Sequence, residues 1–130
     1  METMKLEIVT PHGKIFEGDV RSATFPGAEG EFGVLPEHAS LVSLLEAGVI
    51  EIEKADGSKE SIVIDSGYVK VDENKTLVVV EGAVPIVGAT ESEIAKAIQE
   101  AKELVRKASN SDFAIANVEA KVETAAKTRF

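Results

Sequence analysis

The 130-residue chain contains no cysteine. That absence removes disulfides, thiolate nucleophiles and thiolate-based zinc or iron-sulfur sites at once, and it fits a reducing compartment. Basic residues are also short: 14 Lys and Arg stand against 23 Asp and Glu, a net charge of -9. Nucleic acid requires a basic surface, so no nucleic-acid partner is expected. No cationic N-terminal region leads into an apolar run, and no window approaches the roughly 18 uninterrupted apolar residues of a membrane span. The chain is therefore expected to be soluble, without direct membrane insertion, so that membrane association goes through a partner. Histidine is scarce too. Neither His12 nor His38 has a second histidine at metal-binding spacing, and no G-x-S-x-G elbow accompanies the serines, so neither a metal site nor nucleophilic catalysis is expected.

What is present divides into two segments. All of the acidic excess lies in residues 1–88, whereas 89–130 balance at zero. With 44% apolar residues the chain can bury a real core, and its length suits one compact domain with a small appendage. From Lys5 to about Gly82 it reads as short β-branched runs between turn residues, "KLEIVT", "GVIEIEK", "ESIVIDS", "GYVKVDE" and "TLVVVEG". Asp56-Gly57 predicts a hairpin that sets Ile50 and Ile52 opposite Ile62 and Ile64. A second hairpin is predicted with Asp72 to Lys75 at its tip. No helix-length segment separates the strands, so a sandwich or flattened barrel is expected over residues 1–88.

After "PIVGA" the period changes from two residues to 3.6. Thr90 and Glu93 form a capping-box pattern, and Ile94, Ala97, Ile98, Ala101, Leu104, Val105 and Ala108 fall on one stripe. "ASNSD" breaks that helix. A second is expected from about Asp112, with Ser111 as N-cap and Ile115, Val118, Val122 and Ala125 on one face, so that 89–130 form an antiparallel hairpin. Ten of those 42 residues are alanine. Alanine buries little area, at roughly 25 cal/mol per Å², yet is the best helix former, so the hairpin is read as a helical cap with weak docking, the alternative being a mobile arm.

The stretch "PGAEGEFGVLPEHAS", Pro26 to Ser40, concentrates glycine, carboxylates and His38. Gly27, Gly30 and Gly33 invite a phosphate-loop reading. The stretch lacks the terminal Gly-Lys-Ser/Thr and a following helix, however, and Glu29 and Glu31 would repel phosphate. Two readings remain, an ordinary sheet-connecting loop and a protein contact in which Glu29, Glu31, Glu37 and His38 rim apolar Phe32, Val34 and Leu35.

"PGAEGEFGVLPEHASLVSLLEAGVI" resembles the signature of the epsilon-subunit family of bacterial F-type ATP synthases, counterpart of the mitochondrial delta subunit: G-x-E-G-E-x-G-[IV]-x-P-x-H-x-P, then an apolar run and G-x-[IV]. "KLEIVTPHGKIFEGDV" and "SGYVKVDENKTLVVVEGAV" extend the resemblance over essentially the whole chain, with Ser40 where the pattern usually has proline. The resemblance implies a flattened ten-stranded β-sandwich followed by two helices. It also implies a non-catalytic rotor subunit at the cytoplasmic face of the inner membrane, joining the gamma subunit to the ring of c subunits in a proton-driven motor, or a sodium-driven one in some organisms. By motif position, Glu29, Glu31 and His38 belong to the rotor contacts, and Thr10 and Ser43 to the gamma-facing side. The helical hairpin in the family lies compact or extends along gamma and inhibits ATP hydrolysis; Arg106, Lys107, Lys121, Lys127 and Arg129 are the cations that would then meet the alpha and beta subunits. Some members bind ATP through [IL]-D-x-x-R-A. Here Glu93 replaces the aspartate and Lys96 the arginine, which removes the planar fork that grips polyphosphate, so no cofactor is expected. An ATP-sensing module on the same fold is the alternative, and a small enzyme using Glu31 and His38 a further one.

Overall fold

The computed structural model describes residues 2–37, 39–86 and 91–108. Nine strands and one helix follow in order: β1 (Met4–Thr10), β2 (Gly13–Gly27), β3 (Gly30–Val34), β4 (Leu41–Leu45), β5 (Gly48–Lys54), β6 (Lys59–Ile64), β7 (Gly67–Val71), β8 (Lys75–Val80), β9 (Ala83–Pro85) and α1 (Glu91–Ala108). The fold class is as expected, a strand-rich body followed by helix. Its strand count among the described residues is nine where the family resemblance implied ten. Part of the reason is β2, whose 15 residues serve two neighbourhoods: Gly13 to Val20 pairs with β1, and the remainder pairs with β5, β3 and the end of β4.

That long strand folds the sheet over on itself. Strands run in the order β1-β8-β7-β4-β2-β5-β6-β9, and β2 returns to β1. Period-two alternation then sends one side of every strand into a shared core. Leu6 and Ile8 of β1, Val20 and Phe25 of β2, Ile50 and Ile52 of β5, Ile62 and Ile64 of β6, and Val69 and Val78 of β7 and β8 are buried together. Both predicted hairpins form. Ile50 pairs with Ile62 across the Asp56-Gly57 turn, and the Asp72 amide donates to the Lys75 carbonyl at 2.9 Å.

A second, smaller core lies on the outer side of the β5-β6-β9 layer. Val49, Val63 and Ile86 meet Ile94, Ala97, Ala101 and Val105, members of the predicted helical stripe, with Ile98 and Val84 at the margin. Near the C-terminal end of α1, Gly82 leaves room for the helix: a Cβ there would lie 2.8 Å from Leu104 Cδ1 and 3.0 Å from Asp65 Oδ2. Asp65 Oδ1 accepts the Gly82 amide at 2.8 Å and the Ser66 amide at 2.6 Å, fixing that corner. The expected second helix, the boundary at 88/89, Thr90, Ser111, Lys121, Lys127 and Arg129 lie outside the described residues. Among the described residues no helix is long and apolar enough to cross a membrane.

Candidate interaction surfaces

Outward-facing positions of β4, β7, β8 and β1 form a second apolar face, and nothing among the described residues covers its middle. Register fixes two rows across the four strands. Leu44, Tyr68, Val79 and Val9 make one; Val42, Lys70, Leu77 and Glu7 make the other. Val42 and Leu44 are each 69% exposed and Tyr68 43% exposed, while Leu77 and Val79 are half-buried. At roughly 4.8 Å between neighbouring strands the rows span about 14 Å. Isolated exposed apolar residues need no explanation, but a contiguous group on a flat sheet marks a contact surface.

One margin of this face is an ion-pair network. Lys75 Nζ lies 3.1 Å and Lys14 Nζ 3.6 Å from the Glu7 carboxylate, and Lys14 also bonds Glu17. The hydrogen bond from Lys75 chiefly, with the charge of Lys14, holds the Glu7 carboxyl below its usual range. Lys70, by contrast, stands inside the apolar rows, exposed and without an ion pair among the described residues.

The stretch from Pro26 to Ser40 is not one loop. Pro26 to Val34 is a tight hairpin of β2 and β3, and only Leu35 to Ser40 is a connection. Gly30 turns at φ 129°, and a Cβ on Gly27 would sit 2.6 Å from the Gly30 carbonyl oxygen, so the turn depends on both glycines. The expected apolar centre of a contact loop is also redistributed. Val34 is fully buried and Phe32 meets Phe25 in a tilted ring contact at 5.7 Å between centroids, because strand alternation turns both inward; Leu35 alone stays exposed, at 63%. Glu29 and Glu31 flank the hairpin tip and are exposed. The Ala28 amide donates to the Leu44 carbonyl and the Glu46 amide to the Pro26 carbonyl, both at 3.0 Å, which sets the acidic tip against the Leu44 end of the apolar face. β3 separates this tip from Glu37, whose φ is 64°. His38 lies outside the described residues.

Thr10 ends β1. Its hydroxyl donates to the Gly13 carbonyl at 3.2 Å and accepts the His12 amide at 3.1 Å, closing the β1-β2 turn. Ser43 sits on β4 between Val42 and Leu44, its Oγ donating to the Leu44 carbonyl at 3.2 Å. The structure thus brings Glu29, Glu31 and Ser43 to one neighbourhood, with Thr10 on the outermost of the four strands. Sequence reasoning passed over the more exposed residues beside them, Val42, Leu44 and Tyr68. A signal existed: "LVSLL" is apolar on both alternating faces, which a single core cannot satisfy. On α1, Glu93, Lys96, Arg106 and Lys107 are all exposed, the last two in its final turn. Among the described residues no three His, Asp or Glu side chains are grouped to hold a metal.

The family model "ATP synthase, Delta/Epsilon chain, beta-sandwich domain" matches residues 3–86. Among curated relatives, the ATP synthase epsilon chain of Nitratiruptor sp. is 66% identical over 98% of both chains. That of Sulfurovum sp. is 61% identical over 98% of this chain and 99% of its own. Among solved structures, a chain of the Euglena gracilis mitochondrial ATP synthase OSCP/F1/c-ring assembly matches with TM-score 0.62 and 27% identity, over 95% of this chain and 74% of that one. A chain of the Tetrahymena thermophila mitochondrial central stalk and c-ring shares the fold at TM-score 0.53 and 15% identity, over 82% of this chain and 96% of that one. The chain belongs to the ATP synthase epsilon-chain family and is a non-catalytic subunit of that complex.

Proposed function

We propose that this chain is the rotor joint of a proton-translocating F-type ATP synthase, held through its partners at the cytoplasmic face of the cell inner membrane. The observation that carries this reading is the pair of outer faces: α1 covers one, and the Val42-Leu44-Tyr68 face is left for another subunit. That second face docks on the gamma subunit, with Thr10 at the end of β1 beside it and Ser43 in β4 beneath it, its side chain turned to the opposite side from Val42 and Leu44. The acidic tip at Glu29 and Glu31, with His38, meets the polar loops of the c-subunit ring, where opposite charge aligns the contact. Torque passes through the doubly layered sheet, whose packed core deforms little.

In this reading α1 and residues 109–130 restrain ATP hydrolysis when α1 leaves the sheet and the tail meets the alpha and beta subunits through Arg106, Lys107, Lys121, Lys127 and Arg129. Support comes from the small contact area that Ala97 and Ala101 give the docked helix. The chain works without nucleotide, because Lys96 offers a point charge where a planar fork is needed. Calorimetry with ATP on the full chain tests that: no heat is expected, and micromolar binding would favour the sensor module instead.

The rotor reading is tested by incorporation. The Leu44→Asp, Tyr68→Asp chain should be missing from ATP synthase purified from membranes, while the free chain keeps its unfolding transition. Incorporation at the level of the unaltered chain would overturn the reading.

A further inference from the structure

Two charges stand in the rows of the open face, Glu7, which is ion-paired at the margin, and Lys70, which lies between Val42 and Leu77. Lys70 faces outward on β7, paired across strands with Val42 on β4 and Leu77 on β8, and follows Tyr68 by one outward step. Two lysines of that margin, Lys75 and Lys14, are already matched. Lys75 and Lys14 share Glu7, and Lys14 also takes Glu17. Lys70 makes no ion pair among the described residues. In the free chain this costs nothing, because the ammonium is in water. Covering Val42, Tyr68 and Leu77 with another subunit removes that water, and a desolvated ammonium is strongly unfavourable unless an opposite charge or several acceptors replace it.

From this we infer that the partner surface covering the face carries a carboxylate opposite Lys70, so that one buried ion pair fixes the register of an otherwise apolar, slippery contact. The inference rests on the reading that this face is a subunit contact, and adds the chemistry of the partner. An apolar sheet face alone would tolerate sliding by a strand spacing or by two residues along the strand. A single charge inside it admits only the position where its counter-charge arrives. The four-carbon stem, flanked across the strands by Val42 and Leu77, gains area in the same contact.

The test uses the full chain rebinding to ATP synthase stripped of its own copy, with affinity measured at low and at high salt. Lys70→Met keeps length and apolar area but removes the charge. If a carboxylate is waiting, this change strands it, and affinity should fall by about tenfold; Lys70→Glu should cost about a hundredfold, and Lys70→Arg should stay close to the unaltered chain. The affinity of Lys70→Met should also depend less on salt. Should Lys70→Met bind as tightly as the unaltered chain or more tightly, while Leu44→Asp does not bind, no carboxylate is there and the inference is wrong although the contact face stands. Should Leu44→Asp bind normally, the face reading itself fails and takes the inference with it. Thermal unfolding of each variant confirms that the fold is unchanged, as expected at exposed strand positions.

Discussion

The two outer faces of this sheet are built alike and end differently. On the β5-β6-β9 side, Val49, Val63 and Val84 point away from the main core and α1 closes over them, leaving Val63 fully buried. On the β4-β7-β8 side, Val42, Leu44 and Tyr68 also point away from the core and stay open. The same alternation of strand residues produces both. What differs is whether the covering surface belongs to this chain or to another, and the difference separates residues that hold the fold from residues that hold the assembly.

The sharpest contrast is one charge placed on each face. Val63→Asp puts an unpaired carboxylate beneath α1 and should cost about 3 kcal/mol or more, read as a lowered urea midpoint with loss of hydrogen-exchange protection along α1. Leu44→Asp, similar chemistry on the open face, should change the stability of the free chain by no more than about 0.5 kcal/mol. The same change should cost about 2 kcal/mol or more in binding to the rest of the complex. Equal stability losses would erase the distinction.

Smaller changes probe how α1 is held. Val105→Ala empties a fully buried position and should cost about 2 kcal/mol if the helix is docked in solution. Gly82→Ala should cost about 1 kcal/mol, because the neighbours it meets, Leu104 Cδ1 and Asp65 Oδ2, are side-chain ends that can shift. Both losses should appear in the exchange of α1 amides and leave the β1-β8 pairing protected. The smallest effect belongs to the margin of the open face. The lowered Glu7 carboxyl contributes stability that is present above the carboxylate range and is lost as pH falls through its folded value. Glu7→Gln should therefore be slightly less stable than the unaltered chain near neutrality and equal to it in acid, seen by thermal unfolding at both pH values. Both lysine partners are exposed, so salt should shrink the difference.

Much of this was legible beforehand. The strand runs, the turns at Asp56-Gly57 and Asp72 to Lys75, and the Ile94-Ala97-Ala101-Val105 stripe follow from period and turn chemistry, which are local. The segment Pro26 to Val34 was harder, because its three glycines read as loop while its pairing with Ala23 to Gly27 brings Phe32 against Phe25 in a tilted ring contact. Of the open face only one hint was legible, the apolar residues on both sides of "LVSLL". Alternation says that Val49 and Leu44 point outward, but not which of them a helix will cover, because that depends on where β9 delivers the chain. Ser43 was picked by motif position, and its neighbours Val42 and Leu44 became conspicuous only when the sheet was closed.

Because the chain has no cysteine, one introduced thiol reports on one position. Val42→Cys on the open face should be alkylated quickly in the free chain and more slowly by an order of magnitude or more in assembled ATP synthase. Equal alkylation rates in the free and assembled states would contradict the account, since the face would then be open in both.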